Sequence, residues 1–203
     1  MSAPGDTPVP PPEFPYGIAD LAWARAHGFG SAQRRLADAA AREDPNRHYR
    51  HWLPESTRRA YDTALTGCVT DARRALYGDL ERRRRTTATL ATLKKAYRAK
   101  VYAHRDYRAA LDAWSACMRE RGHQVTDPAV LAAYARRSPA PERRTAVASA
   151  ECVRGTGLAR TGHRLEATLR AQAYATHPAD VTDHAARTEY ALSRARRTIA
   201  RLG

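Results

Sequence analysis

The sequence predicts an all-α protein: an antiparallel helical bundle of about six helices with one long central helix. Three observations carry that reading. Apolar residues recur at 3.5 to 3.6 residue intervals nearly throughout, and no hairpin signal breaks them. β-branched residues are sparse while Ala, Arg and Leu dominate, which favours helix over strand. The third is the stretch from Trp114 to Pro128, which reads as a helix end, a stop and a new helix. Leu111, Trp114 and Met118 form one apolar stripe, with Cys117 beside it. Gly122 is placed to end that helix in a left-handed turn. Asp127 is an N-cap with Pro128 at the first helical position.

The elements follow in order. Residues 1–15, with Pro8, Pro10, Pro11, Pro12 and Pro15, read as a disordered, proline-rich tail of polyproline II character. Residues 16–203 read as a single helical domain. Tyr16 to Gly30 carries Ile18, Leu21, Ala22, Trp23 and Ala26, a short apolar segment laid over the core. Its Gly28-Phe29-Gly30 follows no strand, so a phosphate-binding loop is a poor reading. Ser31 to Ala41 is a helix ended before Asp44-Pro45. Pro54 opens the next helix, with Tyr61, Leu65 and Cys68 on one face and Cys68 read as buried. It is interrupted at Gly67, helical again from Val69 to Tyr77, and ended by Gly78.

Residues 79–121 contain no Pro and no Gly. Leu90, Leu93, Tyr97, Val101, His104, Tyr107, Leu111, Trp114 and Met118 make a heptad-like stripe. One straight helix here would span roughly 65 Å at 1.5 Å per residue, and a compact domain would bend it near Ala103 to Asp106. One long or gently kinked helix is the preferred expectation. Pro128 to Arg137 is a short helix and Ser138 to Pro141 a linker. Pro141 to about Tyr174 is helical but weakened by Gly155, Gly157 and Gly162. Pro178 begins the last helix. Its narrow stripe of Val181, Ala185, Thr188, Leu192, Ala195, Ile199 and Leu202 suits packing on one neighbour.

The formal net charge is +14, from 35 basic and 21 acidic residues. Such a surface attracts nucleic acid, anionic lipid or acidic proteins. Only Lys94, Lys95 and Lys100 are lysines, and codon bias toward arginine and alanine is the plainer source of the excess. The sharpest run is Arg82, Arg83, Arg84, Arg85, Lys94, Lys95, Arg98 and Lys100 against Glu81 alone. A helix carrying it can track phosphates, yet no DNA-binding motif or stacking aromatics accompany it.

Other chemistry is thin. His48 with His51, and Cys117 with His123, fall short of the three or four ligands that zinc needs. Trp114 and Met118, at helical spacing with Leu111, read as core rather than a cofactor pocket. Asp180, Asp183 and His184 cluster at the start of the last helix, where acids complement its dipole. Asp112, Glu120, Glu151 and Glu166 read as solvated or ion-paired. No catalytic constellation, metal site or cofactor motif can be assigned, and the sequence leans away from an enzyme. No run of about 18 apolar residues could span a membrane, and the N-terminus has no signal-peptide pattern.

Trp114-x-x-Cys117-Met118-x-x-x-Gly122-His123, followed by Ala148-x-x-x-Cys152, resembles a pattern in small exported actinobacterial helical proteins of unknown function. Asp44-Pro45-Asn46, Tyr61 and Gly67-Cys68 are similar as well, so the likeness covers roughly residues 44–158. It implies export and supplies no catalytic residues. A native start at Met1 would instead imply the cytoplasm. Of Cys68, Cys117 and Cys152, at most two can pair internally. The resembling proteins carry positions 117 and 152. Both cysteines lie beside apolar stripes on helices joined by a short connection, so a Cys117–Cys152 disulfide is expected. Three reduced thiols are the cytoplasmic alternative.

The functional expectation is a non-enzymatic binding or structural accessory protein of unknown ligand, with a protein or anionic partner. The alternative is nucleic-acid or acidic-partner binding through residues 81–100. A helical biosynthetic enzyme is the weaker third.

Overall fold

A computed structural model describes residues 12–42, 45–137 and 141–202. The proline-rich reading of Pro8, Pro10 and Pro11 and the linker at Ser138 therefore lie outside the described residues, as does the side chain of His48. The described chain is all-α, without strand. Its helices are α1 (Leu21–His27), α2 (Ser31–Arg42), α3 (Pro45–Trp52), α4 (Glu55–Tyr77) and α5 (Leu80–Ala103). After them come α6 (Arg105–Glu120), a 3₁₀ turn (Pro128–Val130), α7 (Leu131–Arg137), α8 (Glu142–Thr156), α9 (Leu158–Ala175) and α10 (Pro178–Leu202). No helix is long and apolar enough to cross a membrane among the described residues.

The helix count exceeds six for local reasons. The 79–121 run divides at His104, whose backbone is extended and whose ring accepts from the Asp106 amide as an N-cap. Gly157, left-handed at φ 70°, separates α8 from α9. The segment read as a connection before Pro54 forms α3, while α4 runs unbroken through Gly67. Gly122 does end α6 at φ 80°, with the His123 amide donating to the Met118 carbonyl at 2.9 Å. Asp127 caps the next turn through the Ala129 amide.

The chain groups into two compact units, with boundaries inside α5 and α9. Unit one comprises Met1–Asp44 and Lys100–Ala167, and unit two comprises Pro45–Ala99 and Thr168–Gly203.

In unit one, α1 and α6 both pack on α8. Trp114 and Met118 of α6 are buried, as the apolar spacing predicts, and they are joined in the core by Ala146, Ala150 and Val153 of α8. Cys117 and Cys152 form a disulfide across this contact, with Cα atoms 5.8 Å apart, inside the limit a disulfide can bridge. Tyr16 is fully buried. Its hydroxyl donates to Glu166 Oε2 at 2.7 Å, and the rings of Tyr102, Tyr107 and His163 surround it.

In unit two, α4 packs on α10. The apolar stripes read from the sequence are only partly covered: Tyr61, Val181 and Ala195 are half-buried, while others stay exposed. Leu192 and Ile199 of α10 are 53% and 69% exposed, while Ala191 is buried. Asp183 and Arg187 share that inner side, and Asp183 ties both Arg82 and Arg187. Ala191 and this ion pair lie on the covered side of α10. On α4 the half-buried residues are Arg58, Tyr61, Asp62, Thr70, Leu76 and Tyr77. Cys68 is exposed rather than buried, although it shares a side of the helix with half-buried Tyr61.

Candidate functional site

The basic run on α5 begins where Asp79 accepts from the Arg82 amide at 3.0 Å, starting the helix. Four arginines in one turn must point in all directions, and the structure gives each a different role. Arg82 reaches Asp183 at 3.0 Å. Arg83 stacks on the Tyr77 ring, 3.6 Å from its centroid, a cation–π contact. Arg84 holds Glu81 through two hydrogen bonds, at 2.7 and 3.1 Å. Arg85 is exposed and makes no ion pair among the described residues. Further along, Lys94 and Arg98 have contacts of their own, Lys95 is exposed, and Lys100 belongs to unit one. The eight predicted cations are therefore not one open face.

Asp183 is the electrostatic hub. Its carboxyl is held below the ordinary value of 3.8, first by the Arg187 hydrogen bond and then by the charges of Arg187 and Arg82. The same logic depresses Asp62 beside Arg50, Asp79 at the α5 start and Glu81 beside Arg84. All four carboxylates belong to unit two. Asp180 and His184 lie half-buried next to this hub.

Between the end of α4 and the start of α5 lies a groove of about 680 Å³. Tyr77, Leu80, Ala88 and Ala91 give it apolar walls, and Thr87, Arg73, Arg83 and Arg84 give it polar ones. Arg73 makes no ion pair among the described residues. Sequence reading singled out Arg83 and Arg84 but not Arg73, because proximity across the α4–α5 turn leaves no local pattern.

The remaining candidates sit elsewhere. Trp114 and Met118 are fully buried in the core. Cys117 is spent in the disulfide, and His123 is buried with its ring edge-on to Tyr134. No group of three or more His, Cys, Asp or Glu side chains is placed to hold a metal among the described residues. Glu151 pairs with Arg121, Glu166 accepts from Tyr16, and Asp112 and Glu120 are exposed.

No family model, curated protein or solved structure matches this chain. The site's chemistry must therefore be read from its residues.

The glycine loop set aside as a phosphate site proves informative. Gly28 and Gly30 both have positive φ, at 62° and 76°. The Phe29 amide donates to Glu142 Oε1 at 2.9 Å, and the Ser31 amide to the same oxygen at 3.4 Å. The loop is an anion nest occupied by the chain's own carboxylate. Burial, and then the nearby Tyr102, push the Tyr107 hydroxyl far above its ordinary value.

What the arrangement offers chemically is attraction of anions. The charge is distributed unevenly. By sequence, unit two carries 19 Lys and Arg against 8 Asp and Glu, a net of +11 out of the chain's +14.

Proposed function

We propose that this is a non-enzymatic helical binding protein whose basic unit two engages an acidic protein partner and whose unit one is a disulfide-tied scaffold. The concentration of +11 on unit two carries the reading. A surface of that sign steers acidic partners into contact and is screened by salt. Exposed apolar residues accompany the charge: Leu65, Val69, Leu192 and Ile199, with Trp52 at 82% exposure. Mixed apolar and cationic surface favours a folded acidic partner over a phosphate backbone, since Arg82 and Arg84 are already held in ion pairs within the chain.

Export is part of the same proposal. It rests on the resemblance around Trp114 to His123, and a disulfide in the scaffold suits an oxidising compartment.

The test is titration of the full chain with poly-L-glutamate and with a 20-base-pair duplex, by calorimetry at low and at physiological salt. The proposal expects polyglutamate binding that weakens with salt. Silence toward both polyanions at low salt defeats it. Tighter duplex binding, with a steep logarithmic salt slope, would instead assign unit two to nucleic acid.

A further inference from the structure

We propose that the groove between α4 and α5 is a binding site for a small amphiphilic anion, a carboxylate or phosphate carried on an apolar body. This goes beyond the acidic-partner reading and does not depend on it. The volume, about 680 Å³, lies within the range of roughly 300–1,000 Å³ usual for small-molecule sites. An inorganic ion would leave such a space mostly unfilled.

The two halves of the ligand follow from the two kinds of wall. Ala88 and Ala91 stand one turn apart on α5, and their short side chains leave the room that the groove occupies. Leu80 and the Tyr77 ring extend the apolar surface. Arg73 and Arg83 line the same groove with their guanidinium groups, beside Arg84, which is already held by Glu81. Arg83 is pre-positioned, because one face of its guanidinium lies on Tyr77 while its edge N–H groups stay free to donate. Arg73 comes from the other helix and has no ion-pair partner among the described residues. An anionic head would therefore meet donors from both helices. The planar forks suit carboxylate and phosphate oxygens equally, so head-group chemistry is shared between those two sources.

The experiment is calorimetry on the full chain with four probes below their aggregation concentrations: decanoate, decyl phosphate, decanol and inorganic phosphate. Decanoate, decyl phosphate or both should bind at least tenfold more tightly than either control, and their ratio identifies the head group. The paired change Arg73→Gln with Arg83→Gln should weaken binding about tenfold or more, the range expected for lost charge-assisted hydrogen bonds. A second variant, Ala88→Leu with Ala91→Leu, fills the groove at exposed helix positions and leaves every charge in place. It should abolish binding while circular dichroism and polyglutamate binding stay unchanged, and it decides the matter where the arginine variant fails to fold. Decanol binding as tightly as decanoate would overturn the proposal, as would inorganic phosphate binding as tightly as decyl phosphate. So would decanoate and decyl phosphate affinities unchanged by filling the groove.

Discussion

The ring of Tyr16 lies so close to the backbone of Gly162 that a Cβ built on Gly162 would fall 2.3 Å from Tyr16 Cγ. The glycine thus makes a slot in α9 that receives the N-terminal arm. In a solvent-facing helix, Gly→Ala stabilises by about 1 kcal/mol. Here overpacking by roughly 1–3 kcal/mol opposes that gain. Gly162→Ala should therefore be destabilising in the native chain. In a Tyr16→Ala background the same change should become neutral or stabilising. Urea unfolding of the four members of this double-mutant cycle checks the sign reversal. Additive effects would show that the arm does not depend on the glycine.

The Cys117–Cys152 disulfide closes a loop with a sequence separation of 35. The chain-entropy estimate for such a loop is about 4 kcal/mol, if native strain does not reduce it. Replacing both cysteines with serine should lower stability by up to that amount. Fluorescence of the buried Trp114 should report the loss of unit one at lower denaturant concentration. Non-reducing peptide mapping should recover the linked peptides. Cys68 should remain alkylatable in the folded protein, because it is exposed.

Glu142 begins α8 and accepts from the Phe29 and Ser31 amides between α1 and α2. Glu142→Ala would leave the buried Phe29 amide without its acceptor, at a cost of about 1–3 kcal/mol. Glu142→Gln keeps one carbonyl oxygen and should cost less. Thermal unfolding of the two variants separates an acceptor role from general packing. Equal losses would mean that the hydrogen bonds contribute little.

Much of this fold was readable because its signals are local. The stripe through Val101, Tyr107, Trp114 and Met118 is buried, and Gly122 and Asp127 mark a helix end and a helix start. The break at His104 was not fixed beforehand, because a histidine caps it without a proline or glycine nearby. Gly162 read as a weak point in a helix, and its purpose depends on Tyr16, 146 residues earlier in the chain. The stripes of α4 and α10 are covered only in part, with Leu65, Leu192 and Ile199 exposed. The covered side of α10 carries Asp183, Arg187 and Ala191, an ion pair and a small residue that apolar periodicity does not mark. The groove has the same character, since Arg73 and Arg83 meet only through the turn that brings α5 beside α4.

Acid should act on unit two through its depressed carboxyls. A carboxyl whose folded pKa lies below its unfolded value contributes stability at pH above the unfolded value. That contribution is lost as pH falls through the folded one. Asp62, Asp79 and Asp183 are lowered from 3.8 and Glu81 from 4.5. Their contribution should therefore be complete at neutral pH and disappear as pH drops below those ordinary values. Carboxyl-carbon NMR should place the Asp183 midpoint below 3.8. Because the Arg187 hydrogen bond is the largest cause, Arg187→Gln should raise that midpoint more than Arg82→Gln does. An Asp183→Asn variant should lose part of the acid dependence of unfolding while keeping its shape at neutral pH. A midpoint at or above 3.8 in the native chain would remove Asp183 from its place as the hub joining α5 and α10.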